Sequence, residues 1–76
     1  MSILIVTGWN PGLQTIALTR TIRQHTGVGL AEGKRCTEQI VERKPVAFKN
    51  LSQGVAEAFL EELRALGVNG EIREDT

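Results

Sequence analysis

The side chains best able to do chemistry in this 76-residue chain are cations placed beside apolar residues in its first half. A turn of about 100° per residue brings two arginines and two apolar residues to one side of a predicted helix; they are Arg20, Arg23, Ile16 and Ala17. Guanidinium groups among apolar side chains are typical of the energetic centres of protein interfaces. The pattern predicts a surface that binds a protein partner, and Lys34 on the following helix would extend it. In an alternative interpretation, the following helix covers this side and the arginines reach past it into solvent.

Residues able to form a catalytic centre are few. His25 is the sole histidine, Cys36 is the sole cysteine, and no motif fixes a pair of carboxylates. Neither a nucleophile with its base nor a metal cluster can be assembled from this set. His25 stands near a predicted helix end, where an imidazole interacts with the helix dipole. The sequence therefore predicts a protein that is not an enzyme and that holds no metal or cofactor.

Length and charge limit the remaining classes. We expect one domain over residues 1–76, and a domain of this size buries only about 60% of the surface of its unfolded chain, which leaves little room for an interior pocket. Nine basic and nine acidic residues cancel, which argues against nucleic acid as the main partner.

Neither export nor a membrane is indicated. The apolar run Ile3 to Val6 is too short for a signal peptide or a membrane span. Cys36 alone cannot form an internal disulfide, which fits a reducing compartment. These features predict a cytoplasmic protein with no membrane partner.

Local patterns predict the first three elements. The β-branched run from Ile3 to Thr7 is typical of a strand. Asn10 as N-cap, with Pro11 at the first helical position, predicts a helix from about 11 to 25. Gly27 and Gly29 end it, and a second helix over about 30–43 is stopped by Pro45.

The second half predicts a strand, a helix and a strand. Val46 to Lys49 forms the short strand, Ser52 caps a third helix that Gly67 ends, and the alternation from Val68 to Arg73 is that of a final strand. Residues 74–76 are expected to fray. The fold class is α+β with the order β-α-α-β-α-β, a three-stranded antiparallel sheet whose first strand is central, and helices on one face.

Helical periodicity also predicts which side chains are buried. On the first helix, Leu18 and Ile22 form the core side, and Leu13 lies on the outward side. The expected buried side of the second helix is Leu30, Gly33, Cys36, Thr37 and Ile40, with Gly33 admitting another backbone. Its outer face, expected to be solvated, is Glu32, Arg35, Glu38, Gln39 and Glu42. On the third helix, Val55, Phe59, Leu63 and Leu66 recur at helical spacing, which indicates one apolar side.

Residues 15–73 resemble the C-terminal domain of the bacterial ribosomal stalk protein, the large-subunit protein that recruits translational GTPases. The matching segments are Thr26-Gly27-Val28-Gly29-Leu30, Glu32 with Lys34, Pro45, Ala56-Glu57-Ala58, and Leu66-Gly67 before an alternating strand. The resemblance implies that the first two helices bind a translation factor or another acidic protein surface. Carried over, that surface falls on Ile16, Ala17, Leu18, Arg20, Arg23, Leu30 and Lys34. It makes Leu18 a contact residue, whereas helical geometry makes it core.

The chain also departs from that family. Thr15 and Ala31 stand where the family usually has lysines, and Gly33 stands where it has an alanine. The second helix is about one turn longer, and the family's hinge and N-terminal dimerisation helices have no counterpart in the sequence given.

A second resemblance is to the fold-related adaptor family of the Clp protease, which binds N-terminal degradation signals. Asn10 is present in the matching loop, but the acidic residues that follow it in the family are missing. Glu42 lies near the position of the family's second-helix histidine. Without those carboxylates a bound ammonium group would be poorly compensated, so this function is the alternative and not the main prediction.

Two more surfaces remain candidates for binding. Trp9 either caps the end of the core, the interpretation we favour, or stands exposed as an aromatic anchor with Asn10 beside it. One pair from the first strand, Ile3 and Ile5 or Leu4 and Val6, must point away from the helices. An apolar stripe on an open sheet favours self-association, so a homodimer through the sheet is a further hypothesis.

Overall fold

The computed structural model of the protein describes residues 1–74. Its elements in chain order are β1 Ser2–Trp9, α1 Thr15–Thr26, α2 Leu30–Val41, β2 Val46–Leu51, α3 Gln53–Ala65 and β3 Val68–Glu74. The predicted order β-α-α-β-α-β is confirmed. Over residues 1–74, each helix is too short or too polar to serve as a membrane span.

The three strands form one sheet in the order β2-β1-β3, with β1 antiparallel to both neighbours. Ile5 lies opposite Ala47 on one side and Glu71 on the other. Leu4 and Val6 are buried, whereas Ile3 and Ile5 on the opposite face are only partly buried. The central first strand and the placement of all helices on one face are therefore as predicted.

The core lies between this sheet and the three helices. Its fully buried side chains include Leu4 from β1, Leu18 and Ile22 from α1, Ile40 from α2, and Phe59 and Leu63 from α3. Val55 belongs to the apolar spacing of α3 but is 38% exposed, and its neighbour Ala56 is buried. Leu13 was expected to face outward, but it precedes α1 and packs against the core.

The start of α1 differs from the prediction. β1 continues to Trp9, which pairs with Val68, and the Asn10 N–H donates to the Gly67 carbonyl at 2.8 Å. Gly12 then adopts φ +93°, a left-handed conformation that a right-handed helix does not include. Asn10 is therefore not the cap and Pro11 is not the first helical residue, because the chain must turn before α1 can begin at Thr15.

Smaller differences occur at other ends. α2 stops at Val41, because Arg43 takes φ +61° and ends the helix in the way glycine commonly does. β2 runs on to Leu51. Glu74 is not frayed, since it belongs to β3 and its Oε1 accepts a hydrogen bond from Ser2 Oγ at 3.0 Å. The rest of the predicted frayed tail, 75–76, lies outside the described residues.

Candidate functional site

The two helices that carry the predicted surface pack side by side as a hairpin. Thr19 Oγ1 of α1 lies 2.7 Å from Thr37 Oγ1 of α2. Each hydroxyl also lies within hydrogen-bond distance of a carbonyl of its own helix, Thr15 O at 3.1 Å and Gly33 O at 3.0 Å. Two protons serve these three contacts, so the hydroxyl pair can exchange partners while it joins the helices.

Gly33 allows the hairpin to close. A Cβ atom at this position would lie 2.9 Å from Arg23 Cγ and 3.3 Å from Thr19 Cγ2. The sequence predicted that another backbone would approach Gly33, but side chains do so. The aliphatic stem of Arg23 therefore rests on Gly33 while the residue as a whole remains exposed.

A shallow groove of about 720 Å³ runs between the outer sides of α1 and α2. It contains five of the six predicted partner-binding residues, namely Ile16, Arg20, Arg23, Leu30 and Lys34. Ala17 is partly buried and lines a separate depression beside Ile16 and Arg20. The structure thus brings most of the predicted set onto one concave surface.

Large apolar side chains are unusually exposed in this groove. Ile16 is 80% exposed, Leu30 49% and Val41 37%. Such side chains clustered in one concavity are typical of an interaction site. The expectation that Leu30 is buried was wrong, because it is the first residue of α2. It lies beside the turn 27–29 that joins α1 to α2, called the hinge below.

Leu18 resolves the conflict between the two sequence arguments. It is 0% exposed and belongs to the core. The contact role implied by the family resemblance is therefore wrong for this residue, and the helical geometry was right. A side chain enclosed on every side cannot touch a partner without local unfolding.

The cations of the groove carry unneutralised charge. Across residues 1–74, no carboxylate oxygen lies within 4.0 Å of the charged groups of Arg20, Arg23 or Lys34. The opposite end of the groove is acidic, with Glu38 and Glu42 in its lining. Both glutamates were predicted to lie on a solvated outer face. Their spacing from Lys34, four and eight residues, was the signal that could have placed all three on one stripe.

The two secondary candidates, Trp9 and Asn10, lie outside the groove lining. The Trp9 indole N–H donates to the Val41 carbonyl at 3.2 Å, and the Arg43 guanidinium carbon lies 4.4 Å from the ring centroid. Trp9 is partly buried against the core, so it joins β1 to the end of α2. Asn10 Oδ1 instead accepts a hydrogen bond from Asn69 Nδ2 at 3.3 Å.

His25 and Cys36 are engaged elsewhere. His25 Nε2 lies 2.8 Å from Glu62 Oε2, and the His25 ring stacks on Phe59 at 4.9 Å between centroids. Cys36 is partly buried, and burial raises the pKa of its thiol, with Glu32 adding to the shift and Arg35 opposing it. A thiol whose pKa is raised is a poor nucleophile at neutral pH. Within residues 1–74, no group of three His, Cys, Asp or Glu side chains is placed to hold a metal ion.

Comparison with known proteins places this geometry in context. No family model matches the chain. The large ribosomal subunit protein bL12 of Glaesserella parasuis serovar 5 (strain SH0165) is 38% identical to it over 63 residues, which is 82% of the chain. The chain is a relative of the ribosomal stalk protein bL12. It spans about half the length of that relative, 48%, and matches its C-terminal part.

The match to bL12 must include the groove. Since 82% of a 76-residue chain is about 62 residues, a continuous segment of that length leaves at most about 14 at either end. It therefore covers 15–62, and the groove lining falls between Thr15 and Glu42. The bL12-like region thus contains both helices of the hairpin.

Proposed function

We propose that this bL12-like domain is a non-enzymatic protein-binding domain whose α1–α2 groove receives a translation factor, or another acidic protein surface, in the ribosome-associated cytoplasm. One observation carries the proposal. Ile16, 80% exposed, shares a groove with Arg20 and Arg23, which have no carboxylate within 4.0 Å across residues 1–74. The relationship to a ribosomal protein supports the choice of translation factors.

In the proposed mechanism, the apolar residues supply affinity and the cations supply selectivity. Ile16 and Leu30 supply apolar area, at about 25 cal/mol for each Å² removed from water. Arg20, Arg23 and Lys34 choose an acidic partner and raise the association rate. Because the net charge of the chain is zero, this steering is a property of the groove and not of the whole molecule.

The test is charge reversal in the groove. We expect Arg20→Glu with Arg23→Glu to weaken binding to the host's purified translational GTPases by at least about a hundredfold, the effect of losing roughly 3 kcal/mol at two interface arginines. Calorimetric titration would give the dissociation constant, and circular dichroism would show that the fold is retained, since both arginines are exposed.

The matched control is Lys49→Glu with Arg64→Glu. These residues are exposed, lie on β2 and α3, and are outside the groove lining. The control changes the net charge equally and should leave affinity nearly unchanged. An unchanged affinity of the groove variant, or an equal loss in both variants, would show that the groove is not the binding surface. Failure of wild-type protein to bind any translational GTPase would show that the partner is not a translational GTPase.

Neither alternative gains a specific supporting observation. A peptide site of the Clp adaptor type would combine Asn10 with the position of Glu42, but Asn10 is hydrogen-bonded to Asn69 and does not line the groove that contains Glu42. The homodimer would use Ile3 and Ile5, whose partners on β3 are the charged residues Arg73 and Glu71. Both remain hypotheses from the sequence.

A further inference from the structure

The charge of the residues that line the groove changes from positive at one end to negative at the other. Arg23 packs on Gly33, and Thr19 meets Thr37, so the two helices run antiparallel past one another. Arg23 and Lys34 consequently lie towards the hinge, whereas Glu38 and Glu42 lie towards the far end of α2. The charges are segregated and not interleaved.

Hydrogen bonds hold the backbone that carries the acidic end. The Trp9 indole N–H holds the Val41 carbonyl, and the Glu42 N–H donates to the Glu38 carbonyl at 2.9 Å. Glu42 has Lys44 Nζ at 3.5 Å, an exposed pair that neutralises it only weakly. Glu38 has no cation within 4.0 Å over residues 1–74. A partner that fills the groove must therefore compensate negative charge as well as positive charge.

The dimensions favour a helix as the occupant. Lys34 and Glu42 are eight residues apart, and at 1.5 Å per residue this is about 12 Å along α2, or roughly two turns. An open channel between two packed helices accepts a third helix in the usual ridge-and-groove manner. Exposed apolar side chains occur at both ends, Leu30 near the hinge and Ile16 with Val41 at the far end.

Building on the proposed function, we propose that the groove binds an amphipathic helix of the partner protein whose own charges are segregated. Its carboxylates lie over Arg23 and Lys34, and a lysine or arginine about two turns away lies over Glu38 and Glu42. A uniformly acidic helix would bring like charges together at the far end, which is a repulsive contribution to specificity. The acidic end thus selects among the acidic helices that the cations attract.

The test uses two synthetic amphipathic 15-residue peptides of identical composition and identical apolar stripe. One has glutamates at one end and lysines at the other, and the second has the same charges interleaved. Fluorescence anisotropy of the labelled peptides should show that wild-type protein binds the segregated peptide roughly tenfold more tightly, as expected when two exposed ion pairs replace two like-charge contacts.

Reversal of the acidic end should remove that preference. Glu38→Lys with Glu42→Lys should bind the two peptides equally and prefer a wholly acidic peptide. Glu57→Lys with Glu61→Lys is the matched control, because these residues have the same spacing on α3 and are exposed; it should keep the wild-type preference. Equal binding of both peptides by wild-type protein, or a preference that survives in the Glu38, Glu42 variant, would overturn the proposal.

Two outcomes separate this proposal from the proposed function. If the Arg20, Arg23 variant loses a translational GTPase while the Glu38, Glu42 variant shows no change in peptide preference, the groove is the binding surface and the segregated helix is wrong. If sedimentation equilibrium shows a wild-type dimer that Glu38→Lys with Glu42→Lys abolishes, a second copy of the chain fills the groove, and the proposal of a partner helix fails.

Discussion

At the scale of single residues, Cys36 illustrates how position controls reactivity. Its side chain is partly buried on α2 beside β2, where burial raises the pKa of the thiol. The negative charge of Glu32 acts in the same direction, and Arg35 acts against it. A thiolate, not a thiol, is the nucleophile, so the raised pKa makes Cys36 a weaker nucleophile at neutral pH than an exposed cysteine.

The pH dependence of alkylation tests whether the pKa of the Cys36 thiol is raised. The rate of reaction of Cys36 with iodoacetamide should rise at a higher pH than it does for an unstructured cysteine peptide, whose midpoint is about 8.5. Because the folded thiol holds its proton to higher pH than the unfolded thiol, this contribution to stability is complete below about pH 8.5 and is lost as pH rises through the folded pKa.

The control for this prediction is Glu32→Gln, which removes one cause of the shift and should lower the midpoint slightly. Urea unfolding at pH 7 and pH 10 measures the free energy of unfolding of wild type and of Cys36→Ala. The part of its decrease at pH 10 that comes from Cys36 should be present in wild type and absent from the variant. An alkylation midpoint below that of the peptide would contradict the inferred environment.

Leu18 and Ile16 show what the sequence can and cannot specify about a binding site. The helical angle between them separates a core residue from a surface residue without any knowledge of the partner. Alignment with a family assigns roles to positions, and it assigned Leu18 to the surface although that side chain is 0% exposed. Direction on a helix is therefore the safer guide where the two disagree.

At the scale of elements, the hairpin of α1 and α2 depends on the missing side chain at Gly33. We expect Gly33→Ala to reduce the free energy of unfolding by about 1 kcal/mol. Alanine gains helix propensity of about 1 kcal/mol, but its Cβ would lie 2.9 Å from Arg23 Cγ, and overpacking of this kind costs about 1–3 kcal/mol. Urea unfolding followed by circular dichroism measures the difference.

Gly54→Ala provides the comparison. Gly54 lies in α3, and a Cβ atom added to it would meet nothing within 4 Å beyond its chain neighbours and the backbone of its own helix. The same substitution there should therefore stabilise the protein by up to about 1 kcal/mol. In an Arg23→Ala background the 2.9 Å contact is gone and Thr19 Cγ2 at 3.3 Å remains, so Gly33→Ala should be less destabilising there than in wild type. A stabilising Gly33→Ala in the wild-type background would show that the Arg23 stem moves aside at little cost.

Most elements could be predicted because their signals are local. The β-branched run of β1, the left-handed Gly27 and the Ser52 cap, whose Oγ accepts from Val55 N at 3.2 Å, act over a few residues. The start of α1 could not, because Asn10 and Pro11 carry a cap signature that strand pairing between Trp9 and Val68 overrides. That pairing joins distant parts of the chain and leaves no local pattern.

The candidate site was predictable only in part for a similar reason. Arg20, Arg23 and Ile16 share one helix, so periodicity groups them. Spacing places Glu38 and Glu42 on one stripe with Lys34, but these glutamates and Val41 share a groove with the residues of α1 only because the two helices pack closely. That distance depends on the Gly33 contact between two helices, which no single-helix pattern contains.

At the scale of the whole molecule, the core is small, so truncating one core residue should remove a large fraction of the free energy of unfolding. A chain of this length has a stability of roughly 4–11 kcal/mol. We expect Leu18→Ala to remove about 2–5 kcal/mol of it, because the fully buried side chain leaves a cavity. Ile16→Ala should change stability by less than about 0.5 kcal/mol, since the side chain is 80% exposed.

Ile16 should matter for binding although it matters little for stability. Ile16→Ala should weaken binding to the partner by about tenfold or more, the effect of truncating an apolar contact in an interface, while the thermal unfolding temperature stays near that of wild type. A large loss of stability on Ile16→Ala, or none on Leu18→Ala, would contradict the division of α1 into a core side and a binding side.

The first strand of the chain is the one that both later strands require. β1 pairs with β2 along one edge and with β3 along the other, and Ser2 lies opposite Glu74. During synthesis, β1 is made first and must keep one edge unpaired until the last described strand has emerged. Pairing across such a long sequence separation is slow and exposes the chain to aggregation. A product that stops short of β3 therefore presents an unpaired edge of β1. Incomplete chains of this fold should aggregate more readily than complete ones.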